Sequence, residues 1–172
     1  DEISKLKKNG YLQNSKQLSI SDLSTVLLPY HKSLDQAREK ALSNDKIGTT
    51  GKGIGPAYED RAARRAILFG DLYNPTTLFD KLDFVLKEKN HLLKNMYGAP
   101  EFNVTELHSQ LLAIAEELLP YRQKDTSLVV SKMLKNNKRV LFEGAQGTML
   151  DILHGTYPFV TSSATISGSA CT

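Results

Sequence analysis

Apolar residues recur every three to four positions through most of the first three quarters of this 172-residue chain, the period of a helix with one buried face. The clearest stretch opens at Asn74-Pro75, where Leu78, Leu82, Val85, Leu86 and Leu93 fall on one side and Gly98 lies beyond the end. A second follows, with Asn103 as N-cap and Glu106 at capping-box spacing. Its stripe is Val104, Leu107, Leu111, Ile114 and Leu118, and Pro120 interrupts it. A shorter helix is expected over about 126–136. Upstream, residues 1–9 read as the end of a helix stopped by Gly10. Residues 20–43 read as helical, with Ser21 as N-cap, Leu34, Ala37 and Ala41 in register, and Pro29 as a kink or restart. Pro56 stands where a first helical residue belongs and Gly70 where a helix stops.

The pattern changes at Arg139. The run RVLFEG is short, β-branched and aromatic, closed by glycine, and predicts a buried strand. A short helix or turn through Met149–Leu153 follows, and YPFVT reads as a second strand. The expected fold is a mostly α-helical subdomain carrying one or two strands of a larger parallel α/β sheet. Residues 1–137 form the helical subdomain, and 138–172 a strand-turn-helix portion of the parent α/β domain. Both ends look cut, since Asp1 opens directly into a helical pattern and the chain stops in a small, hydroxyl-rich run.

Composition narrows the class. Apolar residues make up 40 % and charged residues 24 %, as in ordinary globular proteins. No apolar run approaches the ~20 residues that span a bilayer, and no basic-then-apolar leader opens the chain. The lone cysteine, Cys171, cannot form an internal disulfide, which fits a reducing cytoplasm. The net charge of +3 comes from mixed acids and bases without a long basic block, so a solvated surface explains it better than nucleic-acid binding.

Two segments carry chemistry. In the loop Gly48–Gly55, within a connection expected over 44–55, positions 48, 51, 53 and 55 are glycine. Glycine lets backbone N–H groups approach a ligand closely, and a following helix N-terminus favours an anion. Thr49 and Thr50 add hydroxyls. Arg61, Arg64 and Arg65 are expected inside the helix, 61 and 65 on one face, with guanidinium groups suited to phosphate. Asp60 and Arg64 have the spacing of a helical ion pair. The loop is not a Walker A sequence, because Gly53 follows Gly51-Lys52 where Ser or Thr is required. No clear strand precedes it, as a dinucleotide fingerprint needs. A surface loop before a solvated basic helix would look the same.

The second segment, Phe142–Ser163, places Gln146-Gly147 just past the carboxyl end of the predicted strand, where open α/β sheets bind ligands. Gln146 can donate and accept toward a heterocycle edge, and Thr161, Ser162 and Ser163 could hold phosphate. An ordinary strand–helix turn with capping hydroxyls fits equally well. His31 and His154 read as structural, His91 and His108 lie on helices without a nameable partner, and no spacing suggests a metal site.

Taken together, IGTTGKGIGPAYEDRAARR from Ile47 and VLFEGAQGTMLDILHGTYPFVTSS from Val140 resemble signatures of the adenylosuccinate synthetase family in sequence, order and separation. PYHKSLDQAREK is similar to the family as well. The resemblance implies a GTP-dependent ligase that forms IMP 6-phosphate and lets aspartate displace the phosphate, in AMP synthesis. It implies that residues 47–56 of the helical subdomain are the loop contacting the IMP phosphate, with Thr50 in it, and that Thr161 sits at that phosphate. It further implies that Gln146 reads the IMP base and that Arg64 reaches the IMP phosphate of the other subunit of a homodimer. The GTP loop with its catalytic aspartate, the catalytic histidine, the aspartate-binding loop and the guanine-specificity motif are absent from this segment. No catalytic residue is therefore expected here. Mg2+ in the parent enzyme would be held by residues elsewhere, and the segment alone would be inactive. The family usually has Asp where Leu153 stands and Asn where Ala164 stands. The alternatives are a non-enzymatic nucleotide- or phosphate-binding module, a helical interaction domain, and a nucleic-acid binder.

Overall fold

The computed structural model describes residues 2–43 and 47–171; the first three residues of the expected 44–55 connection lie outside them. The chain is mostly helical with a two-stranded parallel sheet. The helices are α1 (Glu2–Lys8), α2 (Pro29–Ala41), α3 (Ile54–Ala62), α4 (Pro75–His91), α5 (Val104–Leu118) and α6 (Thr126–Lys135). The strands are β1 (Ile20–Ser21) and β2 (Arg122–Gln123), paired Ile20 to Arg122 and Ser21 to Gln123. Among the described residues no helix is long and apolar enough to cross a membrane.

The α4 stripe is the centre of the core. Leu78, Leu82, Val85 and Leu86 are buried, and a π-helical turn over Leu92–Met96 carries Leu93 into the same face. Asn74 caps α4 by accepting from the Thr77 N–H at 3.2 Å, with Pro75 at the first helical position. Antiparallel α5 buries Leu107, Leu111 and Ala115 against it. Asn103 accepts from the Glu106 N–H at 3.0 Å, as its spacing predicts. Ile114 stays 46 % exposed, because α5 packs through a narrow ridge of residues four apart. Leu28, Tyr30 and Leu34 from the start of α2, and Ile67, Phe69 and Leu72 after α3, complete the core.

Four predicted elements come out differently. Ser21 is no N-cap: it lies in β1, and the helix starts at Pro29, where the ring fixes φ and supplies the first helical residue. The helix after the glycine loop ends at Ala62, well short of Gly70. It stops because Arg64 takes a left-handed φ of +61°. Arg64 and Arg65 are therefore beyond the helix, and Arg65 does not share a helical face with Arg61. RVLFEG and YPFVT form no strand. Strand propensity needs a neighbour to pair with, and no described strand lies beside them, so Leu141 is 88 % and Phe142 60 % exposed. Among the described residues the two strands are at 20–21 and 122–123 instead.

A buried charge network ties the helices together. Asp60, fully buried in α3, accepts from Tyr30 Oη at 3.1 Å and from His31 Nε2 at 3.0 Å, both on α2. It also accepts from Arg65 Nε at 2.8 Å and pairs with Lys89 Nζ of α4 at 2.7 Å. His31 Nδ1 accepts from the Leu28 N–H at 2.9 Å, so the ring proton sits on Nε2 and is donated to Asp60. The expected Asp60–Arg64 pair does not form; Arg65 takes that place. Burial alone would raise the Asp60 pKa, but the hydrogen bonds from His31, Lys89 and Arg65 outweigh it and hold the carboxyl well below its ordinary range. Burial, reinforced by the Asp60 charge, pushes the Tyr30 phenol far up.

Replacing Asp60 by Ala would leave Lys89 buried without its counter-charge. The expected loss is about 3–5 kcal/mol in a urea titration, the range for breaking a buried pair. A loss under about 1 kcal/mol would show that Lys89 finds water or another partner.

Candidate functional site

The glycine loop is gripped by one side of α2. Asp35, itself buried, accepts from Thr49 Oγ1 at 2.9 Å and from the Gly53 N–H at 2.8 Å. Gln36 Nε2 donates to the Gly51 carbonyl at 3.3 Å, and Glu39 accepts from the Gly48 N–H at 3.1 Å. Gly53 enters α3 with φ +90°, and a Cβ there would lie 2.5 Å from Lys32 N and 2.6 Å from the His31 carbonyl carbon. Only glycine allows this approach of α3 to α2. Thr50 is exposed and its hydroxyl makes no hydrogen bond to a described residue.

The second segment is organised by another carboxylate. Asp151 is 1 % exposed and accepts from four backbone N–H groups: Thr165 at 2.6 Å, Leu153 and His154 at 3.0 Å each, and Ile166 at 3.3 Å. These bonds, the one from Thr165 foremost, lower its pKa from 3.8 to about 2. Thr165 Oγ1 donates to the Gly147 carbonyl at 2.8 Å, and Thr161 N–H to the Leu150 carbonyl at 2.9 Å. The segment thus folds into a closed loop that sets Thr161 beside Gln146. With no strand before it, Gln146 is presented by a left-handed turn of φ +67° and a short 3-10 turn at Thr148–Leu150. Its Oε1 lies 3.4 Å from Ser163 Oγ. Gly155 packs where a Cβ would be 2.5 Å from two carbonyl oxygens, those of Met149 and Asp151.

The two segments meet. A cavity of about 400 Å³ is lined by Asp35, Ile47, Gly48, Thr49, Thr50, Ile54 and Gly55 on one side. Gln146, Leu150, Phe159, Val160, Thr161 and Ser162 line the other. Three of the four residues singled out in the sequence, Thr50, Gln146 and Thr161, therefore share one cavity, although nearly a hundred positions separate the first two. Its wall mixes glycine backbone, hydroxyls and an amide with apolar Ile47, Ile54, Leu150 and Phe159, a lining that suits a flat heterocycle bearing an anionic group. Arg64 does not line it. It is exposed after α3, and its guanidinium pairs with no acid among the described residues. Its left-handed backbone costs an arginine ~1–2 kcal/mol. Among the described residues no three His, Cys, Asp or Glu side chains converge as a metal-ligand set.

Sequence reasoning missed the supporting carboxylates. Asp35 sits on a helix like any surface acid, and nothing in the sequence marks it. Asp151 had a readable signal: an aspartate two and three residues before the N–H groups it accepts from is an Asx-type turn.

Comparison with known proteins gives a consistent result. The family model described as adenylosuccinate synthetase matches residues 1–172. The adenylosuccinate synthetase of Bdellovibrio bacteriovorus is 68 % identical over 171 residues, covering 99 % of this chain and 40 % of that protein. That of a Geobacter species is 50 % identical, covering 99 % of this chain and 39 % of that protein. The solved structure of fully ligated adenylosuccinate synthetase from Plasmodium falciparum superposes with a TM-score of 0.79 at 29 % identity, over 96 % of this chain and 39 % of that one. The chain spans about 40 % of the length of the relatives it matches.

Acid should loosen the second segment. The Asp151 pKa is depressed in the folded state, so its contribution is complete above about pH 4 and is lost as the pH falls from there toward about 2. Amide exchange at Leu153, His154 and Thr165 should therefore accelerate across that window beyond its intrinsic pH dependence, and Asp151→Asn should show the loosened state already at pH 6. Exchange at these amides that is unchanged in Asp151→Asn would mean other contacts hold the loop.

Proposed function

The chain belongs to the adenylosuccinate synthetase family, and from that premise we propose that it is the IMP-binding part of a GTP-dependent ligase joining IMP to L-aspartate in AMP synthesis. The observation that carries the reading is the convergence of Thr50, Gln146 and Thr161 on one cavity. Residues 1–137 supply the phosphate loop on a helical subdomain, and residues 138–172 supply the base-reading turn of the parent α/β domain.

In this reading loop N–H groups other than those of Gly48, Gly51 and Gly53, which Glu39, Thr49 and Asp35 already hold, join the Thr50 and Thr161 hydroxyls in taking the 5′-phosphate of IMP. Gln146 uses its amide as donor and acceptor on the base edge near O6. The purine lies along the apolar wall formed by Ile54, Leu150 and Phe159. GTP transfers its γ-phosphoryl group to O6; the aspartate amine then attacks C6 and inorganic phosphate leaves with the former O6. This segment binds and orients IMP, which makes the transfer effectively intramolecular, while the acid, base, GTP and Mg2+ groups come from the rest of the enzyme. Mg2+ would serve there to neutralise charge on the transferring phosphoryl group. Arg64, exposed and paired with no acid among the described residues, is free to reach the IMP phosphate of a second subunit, which makes the working enzyme a homodimer. A reducing cytoplasm suits the single exposed thiol at Cys171. The departures at Leu153 and Ala164 fall outside the cavity lining.

Phosphate release by the full-length enzyme should require GTP, IMP and aspartate together, each omission abolishing it. Release without IMP or aspartate would identify a different nucleotide hydrolase, and binding of many nucleotides without release would favour a non-enzymatic module. The purified 172-residue chain is expected to show no turnover. In the full-length enzyme Arg64→Ala should raise the IMP KM by a factor equivalent to about 1.5–3 kcal/mol, the worth of a charged hydrogen bond; an unchanged KM would remove Arg64 from the site.

A further inference from the structure

Arg64 occupies the position where helices usually place a glycine. The turn after α3 closes as a Schellman motif: the Arg64 N–H donates to the Arg61 carbonyl at 3.1 Å and the Arg65 N–H to the Asp60 carbonyl at 3.0 Å. The residue between these bonds takes φ +61°, a conformation that persists in an arginine only where its surroundings over-determine it.

What over-determines it is Arg65. Its backbone N–H returns to the Asp60 carbonyl, and its side chain returns to the same residue, Nε to Asp60 Oδ1 at 2.8 Å. The Ala66 N–H also donates to the Asp60 carbonyl, at 3.1 Å. Nη1 of Arg65 pairs with Glu88 on α4. Asp60 is immobilised in turn by Tyr30, His31 and Lys89. Arg65 is therefore fixed through both its main chain and its side chain, and Arg64 is suspended between a helix end and this clamp. Without the clamp, the favourable conformation for residue 64 is the right-handed one, which would continue α3 and carry the Arg64 side chain round onto the helix surface.

We infer that Arg65, acting through Asp60 and Glu88, is a positioning residue for Arg64: the clamp keeps the left-handed turn closed and fixes the point from which the Arg64 guanidinium reaches a phosphate. This rests on the proposed assignment of Arg64 to IMP. It also gives adjacent arginines opposite roles. Arg65 is committed to Asp60 and Glu88, whereas Arg64 has no acid to hold it among the described residues.

The test is a double-mutant cycle in the full-length enzyme, read as KM for IMP against kcat. Arg64→Ala should raise the IMP KM by about tenfold or more, and Arg65→Met by about tenfold with kcat changed less than about twofold. The double variant should be no worse than Arg64→Ala alone, because the clamp has nothing left to position. Arg65→Lys, which keeps one cationic contact, should recover part of the loss. An Arg65→Met factor that is the same in both backgrounds would overturn the inference, as would a loss of thermal stability with unchanged IMP KM. An unchanged KM in Arg64→Ala alone would remove the IMP assignment and the clamp's role with it; that failure is separately visible because Arg65 is intact in that variant. If Arg65→Met does not fold, Glu88→Gln at the half-exposed end of the clamp serves: IMP KM rises severalfold in the native background and not in Arg64→Ala. An IMP KM that Glu88→Gln leaves unchanged would overturn the inference.

Discussion

One carboxylate that water cannot reach sets the geometry of this molecule. Asp60 has no solvent to solvate it, so it is tolerable only when surrounded by donors, and those donors come from three separate helical segments. Tyr30 and His31 bring the first turn of α2, Lys89 brings the far half of α4, and Arg65 brings the chain leaving α3. Apolar packing is permissive about small shifts and rotations; a buried charge with four directed partners is not. The approach of α3 to α2, close enough that position 53 must be glycine, follows from that arrangement.

The same device recurs on a smaller scale at the candidate site. Asp35 holds the glycine loop and Asp151 holds the second segment, each by accepting from backbone N–H groups or a hydroxyl, with no ion pair to a cation among the described residues. Irregular backbone has few internal hydrogen bonds, and a carboxylate accepting several N–H groups replaces them. Both loops therefore present their polar groups from fixed positions, which limits the ordering needed when a ligand arrives.

Long periodic helices were legible in the sequence because burial follows periodicity: every residue of the α4 stripe is buried, and the caps at Asn74 and Asn103 form as their spacing implies. The local sequence misled where the deciding partner is distant. Ser21 looks like a cap but pairs with Gln123 across the chain. RVLFEG has a strand's composition and no described strand to join. The helix after the glycine loop looked longer because its end is set by no glycine or proline; Arg65 folding back on Asp60 closes it. At the candidate site, Thr50, Gln146 and Thr161 stood out by type and spacing, and Asp151 by its Asx-turn spacing; the burial of Asp35 and Asp60 did not, since a buried acid and an exposed one share a letter. The belonging of the chain to its family was legible from two long motifs whose order and separation matched.

The pairing of β1 with β2 bears on how the chain assembles. Arg122 meets Asp22 in a two-pronged contact of 2.9 and 2.8 Å across 100 residues of sequence, and stacks over the Tyr73 ring at 4.2 Å. Closing a loop of that size from an open chain costs on the order of 4 kcal/mol of entropy, more than two residues of strand can return. The helical layer between them is built of near neighbours and can form first, bringing the two strand ends together before they touch. The small sheet is then a latch that closes on a finished scaffold, and its arginine stacks on a tyrosine which only that scaffold puts in place.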